Sequence, residues 1–163
     1  MPINPRNETA YLCYVCPNCL HAPHECICSS PDDKYDILPY HLIAIDINIQ
    51  KHLQVLYKKG YVTEFSCESH SPDDRVQIGF AIDYGFGDDL PMPHGFKKSF
   101  MKDHMNNKRI RCFIEAKYGK TKRDRDNLSN EDFEKMKNEY LNNLLDWCES
   151  LPMAKEVDWE QYI

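Results

Sequence analysis

Five cysteines fall between positions 13 and 28: Cys13, Cys16, Cys19, Cys26 and Cys28, with His21 and His24 among them. Thiolates and imidazoles packed so densely point to a metal ion, and structural zinc takes four such ligands in a tetrahedron. Cys16-Pro17-Asn18-Cys19 is a turn that can aim two sulfurs at one ion, with proline presetting its φ. Cys26-Ile27-Cys28 supplies a second, tighter pair. Together they read C-x2-C-x6-C-x-C, a compact zinc knuckle with Cys16, Cys19, Cys26 and Cys28 as ligands and zinc in a structural role. Cys13 and Cys16 share the spacing of Cys16 and Cys19, so Cys13, His21 and His24 stand as alternative ligands. The run C-x2-C-x2-C from Cys13 also leaves an iron–sulfur cluster open, and unliganded thiols are the third reading. The knuckle resembles short bacterial zinc-ribbon appendages, with Leu20 where such turns carry glycine.

A second group of reactive side chains is Ser66-Cys67-Glu68-Ser69-His70. Cys67 and His70 are candidate catalytic residues, as a thiolate–imidazolium pair, or ligands for an anion or a metal. The plainer reading makes Cys67 a strand-end residue and the rest a solvated turn. Elsewhere the sequence has no phosphate-binding glycine loop, no Gly-x-Ser-x-Gly and no His-Glu-x-x-His. Asp73-Asp74 and Asp88-Asp89 read as solubilising turns.

Residues 45–84 resemble a segment of uncharacterised small cysteine-rich proteins of Gram-positive bacteria and their phages. In those proteins a helix after Ile-Asp leads to Gly-Tyr-x-Thr and a strand closing in Ser-Cys-x-Gly-His. The matching residues are Ile45-Asp46, Gly60-Tyr61-Val62-Thr63 and Ser66-Cys67-Glu68-Ser69-His70, with Ser69 in place of the glycine. That resemblance implies no particular activity. Thr63, Ser66 and Cys67 also resemble the Thr-x-x-Ser-Cys of wybutosine-synthesis proteins, which implies action on tRNA with S-adenosylmethionine; Ser69 and His70 depart from that pattern.

These groups sit in a chain of 163 residues, 42% hydrophobic, with a net charge of −6. That suits one domain with a small appendage: a zinc knuckle over 1–34 and an α+β domain over 35–163. No apolar run nears the ~20 residues of a membrane span, and the first residues carry no apolar signal region, so a cytoplasmic protein with reduced thiols is expected. Asn, Lys, Ile and Tyr abundance suggests an AT-rich bacterial or phage genome. Charge is uneven. Residues 97–125 hold eleven Lys/Arg against three Asp/Glu, whereas the flanking stretches are each net −7. Such a basic segment neutralises its neighbours or faces an anionic partner.

The elements follow from periodicity. Leu42–Ile45 reads as a strand, and Asp46 as the cap of a helix over 47–59 ended by Gly60. Ile49, Leu53, Leu56 and Tyr57 share one helix face. Strands are expected over 61–67, with Tyr61, Thr63, Phe65 and Cys67 on one face, over 75–84, where Val76, Ile78, Phe80, Ile82 and Tyr84 alternate inward, and over 109–117, with Ile110, Cys112, Ile114 and Ala116 facing the core. Residues 85–108 read as loop, with a short helix near 96–102, and 118–128 as a charged turn. A helix from Ser129 to Leu151 carries the stripe Phe133, Met136, Tyr140, Leu141, Leu144, Cys148 and Leu151. The expected fold is α+β: an antiparallel sheet with two main helices on one face, plus the knuckle.

Arg109 and Arg111 alternate away from the core positions of their strand. With Ser66 and His70 they form a candidate site for an anionic ligand, the arginines holding phosphate bidentately; pairing of the arginines with Glu64 and Glu68 is the alternative. The functional reading is a non-enzymatic zinc protein that binds nucleic acid, a nucleotide or a protein partner. The alternative is a small RNA- or nucleotide-processing enzyme using the Cys67/His70 loop.

Overall fold

The computed structural model describes residues 12–17, 19–22, 25 and 43–163. Cys26, Cys28 and His24 lie outside the described residues, as does Leu42 at the start of the expected first strand. The described chain is α+β. Strand β1 (Leu12–Val15) pairs antiparallel with β2 (Ile43–Asp46), Cys13 opposite Ile45. A 3-10 turn (Ile47–Ile49) leads into α1 (Gln50–Lys58). Then come β3 (Thr63–Cys67), β4 (Val76–Phe80), β5 (Lys97–Lys102), β6 (Ile110–Ala116), α2 (Lys122–Asp126) and α3 (Asn130–Ser150). A 3-10 turn over Trp159–Tyr162 ends the chain. Strands β3 to β6 make one antiparallel sheet in the order β3-β4-β6-β5.

One face of that sheet is dry. Val76, Ile78 and Phe80 of β4 are fully buried, as are Cys112 and Ile114 of β6, so the strand phase read from period-2 alternation holds at these positions. They share one core with Ile49, Leu53 and Leu56 from the α1 region and Leu141, Leu144, Trp147 and Cys148 from α3. Trp147 stacks edge-on to Phe86 at 5.1 Å, and Phe86 meets Phe80 at 4.8 Å. The helices are also tied by polar bonds. The buried His52 ring donates from Nε2 to Leu141 O at 2.7 Å. The Lys59 ammonium donates to Cys148 O at 2.9 Å and Leu151 O at 2.6 Å, placing a cation on the carbonyl end of α3.

The helix α3 starts at Ser129, whose Oγ accepts from Asp132 N at 3.1 Å, and stops before Pro152, which forces Leu151 into extended backbone. Gly60 has φ +87, the left-handed turn that ends α1.

Several expectations need correcting. The 96–102 segment is not helical but is the edge strand β5; its lysines and exposed Phe100 hide the alternation, as edge strands commonly do. The 118–128 turn contains α2, capped by Thr121, whose Oγ accepts from Asp124 N at 3.1 Å. Strand β4 ends at Phe80, before Ile82 and Tyr84. Tyr61 is buried but precedes β3, and a register shift between Thr63 and Phe65 turns Phe65 to solvent. Ile110 is exposed at the end of β6 and Tyr57 is exposed on α1. Asp46 makes no side-chain cap to the turn that follows it. Across the expected 34/35 boundary β1 hydrogen-bonds to β2, and Val15 and Leu20 join the main core. Among the described residues no helix is long and apolar enough to cross a membrane.

Candidate functional site

The carboxylate of Asp46 is spent on the exit turn of β3. Its Oδ2 accepts from Glu68 N at 2.8 Å, and its Oδ1 lies 3.2 Å from His70 Nε2. Asp46 is buried, whereas the His70 side chain is 35% exposed, so the pairing sits at the edge of solvent. Cys67 ends β3 beside them, and one ligand atom each from Asp46, Cys67 and His70 lie within 4.8 Å of one another. The turn is unusual at Ser69, which is buried with φ +74. A left-handed residue with a Cβ costs about 1–2 kcal/mol. The conformation points Ser69 N at Cys67 Sγ, 3.4 Å away, and lets Ser69 Oγ donate to Ser71 O at 3.0 Å. His70 N in turn donates to Asp74 Oδ2 at 3.2 Å.

Glu68 anchors this turn from behind. It is fully buried, 2.9 Å from Lys137 Nζ of α3, and accepts from Asn48 Nδ2 at 2.7 Å and Asn48 N at 3.3 Å. A buried carboxylate needs such partners, since desolvating it alone is prohibitive. Asp46, Asn48, Asp74 and Lys137 are therefore part of the site although their sequence context did not mark them. One signal was available: Lys137 lies four residues after Phe133 and four before Leu141, on the apolar stripe of α3.

The electrostatics bear on what Cys67 can do. Burial pushes its thiol up, and Asp46, Asp74 and Glu68 push further, against the opposing pull of the Ser69 N–H. Burial likewise pushes Cys13 up, with Asp46 and Glu68 adding to it. A nucleophilic cysteine needs cations or a helix N-terminus to hold its thiolate. This environment is electronegative instead, and disfavours the thiolate.

The expected anion residues are not brought together. Cys67 pairs with Gln77, and Gln77 with Glu115, so the Ser66–His70 turn lies at the Glu115 end of β6. Arg111 is four residues away along β6, about 13 Å at a rise of ~3.3 Å per residue. Arg111 Nε lies 2.9 Å from Glu64 Oε2, and Arg109 lies 3.3 Å from Glu64 and donates from Nε to Asp103 Oδ2 at 3.0 Å. Glu64 matches the alternative pairing; Glu68 does not, being taken by Lys137. Ser66 is half-buried in the row of Ile78 and Ile114, which are core residues.

A different basic surface does adjoin the turn. A cavity of about 600 Å³ opens between residues 72–75 and 117–125. Arg75, Lys97, Lys117, Lys120 and Arg125 line it, against Asp73, Asp74 and Glu115. Glu115 takes Arg75 at 2.8 Å and Gln77 at 3.1 Å, and Asp73 takes Arg125 at 3.1 Å. Four of the five cations come from the basic 97–125 segment. Tyr118 forms part of the wall, its hydroxyl pushed up to about 12, chiefly by burial, against the pull of Ser69.

In the segment expected to form the knuckle, Cys16 and Cys19 are buried against each other. Leu20 N donates to Cys16 O and Cys16 N to His21 O, both at 2.9 Å, closing a tight turn. Leu20 takes φ +64, the conformation for which glycine is usual, and its carbonyl accepts from Gln50 at 3.1 Å and Gln54 at 3.2 Å. His21 Nδ1 donates to Cys19 O at 3.0 Å. Comparison with protein-family models, with curated proteins and with solved structures gives no match.

Proposed function

We propose that this chain is a zinc-binding protein whose α+β domain holds an anionic ligand of the nucleotide or nucleic-acid class. The observation that carries the reading is the basic cavity: five cations face three carboxylates there, in a protein whose net charge is −6. Concentrating positive charge in a concave wall raises the local concentration of phosphate-bearing ligands, and its volume lies within the usual ~300–1,000 Å³ of ligand sites. Arg75 and Arg125 are each paired with a carboxylate and Lys117 Nζ lies 3.9 Å from Glu115 Oε1, which leaves Lys97 and Lys120 as the exposed phosphate contacts. Zinc belongs to the knuckle, with Cys16, Cys19, Cys26 and Cys28 as ligands. The buried Cys16–Cys19 turn supports that assignment, and the ion would contribute folding energy rather than chemistry.

The test is titration of a labelled single-stranded oligonucleotide and of ATP against wild type and a Lys97→Ala/Lys120→Ala variant. Wild type should bind in a salt-sensitive manner. The variant should bind more weakly, with its log–log salt slope for the oligonucleotide shallower by about 1.4, at ~0.7 per phosphate neutralised on a single strand. An Arg109→Ala/Arg111→Ala variant should leave the slope in place. Salt-insensitive or absent binding by wild type, or equal binding by the lysine variant, refutes the reading.

A further inference from the structure

We infer that Asp46, Cys67 and His70 form a second metal site, for a zinc-type transition-metal ion, separate from the cysteine knuckle. The three residues offer the mixed oxygen, sulfur and nitrogen donors that zinc accepts. Zinc bonds of about 2.0–2.3 Å set tetrahedral ligand-to-ligand edges of about 3.4–3.6 Å. The Asp46 Oδ1 to His70 Nε2 separation is 3.2 Å, and all three donors lie within 4.8 Å, so small side-chain adjustments complete the set. Cys67 and His70 have the C-x2-H spacing by which one turn presents two ligands to one ion.

The supporting shell separates this cluster from an ordinary polar turn. Ligands of real metal sites are oriented by partners of their own, and Asp46 and Cys67 have them. Asp46 is fixed through Oδ2 by Glu68 N, and Oδ1, which His70 Nε2 contacts at 3.2 Å, turns to the ion when the ring gives up that contact. The Ser69 N–H points at Cys67 Sγ, the contact that stabilises a metal-bound thiolate. Asp74 holds the His70 backbone. Behind them Glu68 is clamped by Lys137 and Asn48. The left-handed Ser69 is the strained residue that makes this arrangement. The surrounding carboxylates make the site electronegative, so a divalent cation entering it is attracted. On loading, Cys67 loses its thiol proton to solvent and His70 binds as neutral imidazole through Nε2, with its proton on Nδ1. Three protein ligands leave a fourth position for water or an anionic group, unlike the closed four-cysteine knuckle.

The test is elemental analysis of untagged full-length protein after dialysis into metal-free buffer. Wild type should carry two zinc ions per chain. His70→Ala and Cys67→Ser should each carry one while keeping wild-type circular dichroism. A Cys16→Ser/Cys19→Ser variant should also carry one, and its cobalt form should show thiolate-to-metal charge transfer that disappears when Cys67→Ser is added. Unchanged metal content in both His70→Ala and Cys67→Ser overturns the site. Wild-type content in the Cys16→Ser/Cys19→Ser variant instead removes the knuckle and leaves this site standing. Should any variant fail to fold, X-ray absorption on the wild-type zinc decides: an average of about three or more sulfurs per zinc, which the knuckle alone gives even with one histidine ligand, overturns the inference, and fewer than about three, with nitrogen and oxygen making up the rest, supports it.

Discussion

Lys137→Ala should be among the most damaging single substitutions on α3. The ammonium lies 2.9 Å from the Glu68 carboxylate, with side-chain exposures of 7% and 0%. Removing it leaves a buried carboxylate with only the two Asn48 donors. Breaking a buried pair from one side costs about 3–5 kcal/mol, since the stranded charge keeps its desolvation penalty. The surviving Asn48 bonds place the expected loss at the lower end, about 3 kcal/mol. In a protein of this length that lowers the Tm by roughly 6–12 °C, at ~2–4 °C per kcal/mol. Urea unfolding followed by circular dichroism measures it. Glu68→Gln/Lys137→Met removes both charges and should recover most of the loss, because an uncharged pair of similar volume has no stranded ion. With Glu68→Gln and Lys137→Met as the single variants, wild type and the double variant complete a double-mutant cycle whose coupling should exceed about 1 kcal/mol, within the range for contacting residues. A single-variant loss below about 1 kcal/mol, or no recovery in the double variant, would refute the claim that this pair anchors the β3 exit turn.

Two further outcomes follow from other parts of the sheet and core. Gly79 lies beneath the Phe113 ring, where an added Cβ would come within 2.7 Å of a ring carbon. Gly79→Ala should therefore cost about 1–3 kcal/mol by overpacking, and calorimetry should show the cost shrinking in a Phe113→Ala background. Stability should also fall at alkaline pH. Burial pushes the Cys112 and Cys148 thiols from 9.0 to about 12 in the folded chain. Folded pKa values above the unfolded ones give stability that is complete below about pH 9 and lost as pH rises toward 12. Urea midpoints measured from pH 7 to 11 should decline above 9, and a Cys148→Ala variant should decline less steeply; a flat profile refutes the assignment.

How much of this was legible in the sequence depends on how local each cause is. The long helix was readable because its Ser129–Asp132 cap and its apolar stripe are both contained in one stretch of chain. The inward phase of Val76, Ile78 and Phe80 was readable because one face of the strand is dry and the period is two. Edge strand β5 was not. It pairs only with β6, and Lys97, Phe100, Met101 and Lys102 are all exposed, so no alternation survives. Asp46 illustrates the conflict between local and distant demands. Its position before a helical turn favours capping, but the N–H of Glu68 and the ring of His70, more than twenty residues on, take the carboxylate instead. The arginines show the same limit. Alternation correctly turned Arg111 off the core side of its strand and left Glu64 as an alternative partner, yet nothing local reveals that Asp103 is the other.

The two positions where the sequence lacks an expected glycine make the last link from backbone to site. Leu20 and Ser69 are the only non-glycine residues with positive φ among the described residues. Each costs about 1–2 kcal/mol relative to an unstrained backbone, so each must be held by something outside its own turn. Leu20 is held by burial in the main core and by two glutamines of the α1 segment on its carbonyl. Ser69 is held by burial, by the bond from its hydroxyl to Ser71 O, and by the Glu68–Lys137 pair next door. Both residues adjoin metal-ligand candidates: Leu20 follows Cys19, and Ser69 stands between Cys67 and His70. A glycine could adopt either turn without support, but it would leave the turn free to relax. A side chain that is buried in the strained conformation fixes the turn, and with it the direction of the neighbouring sulfur.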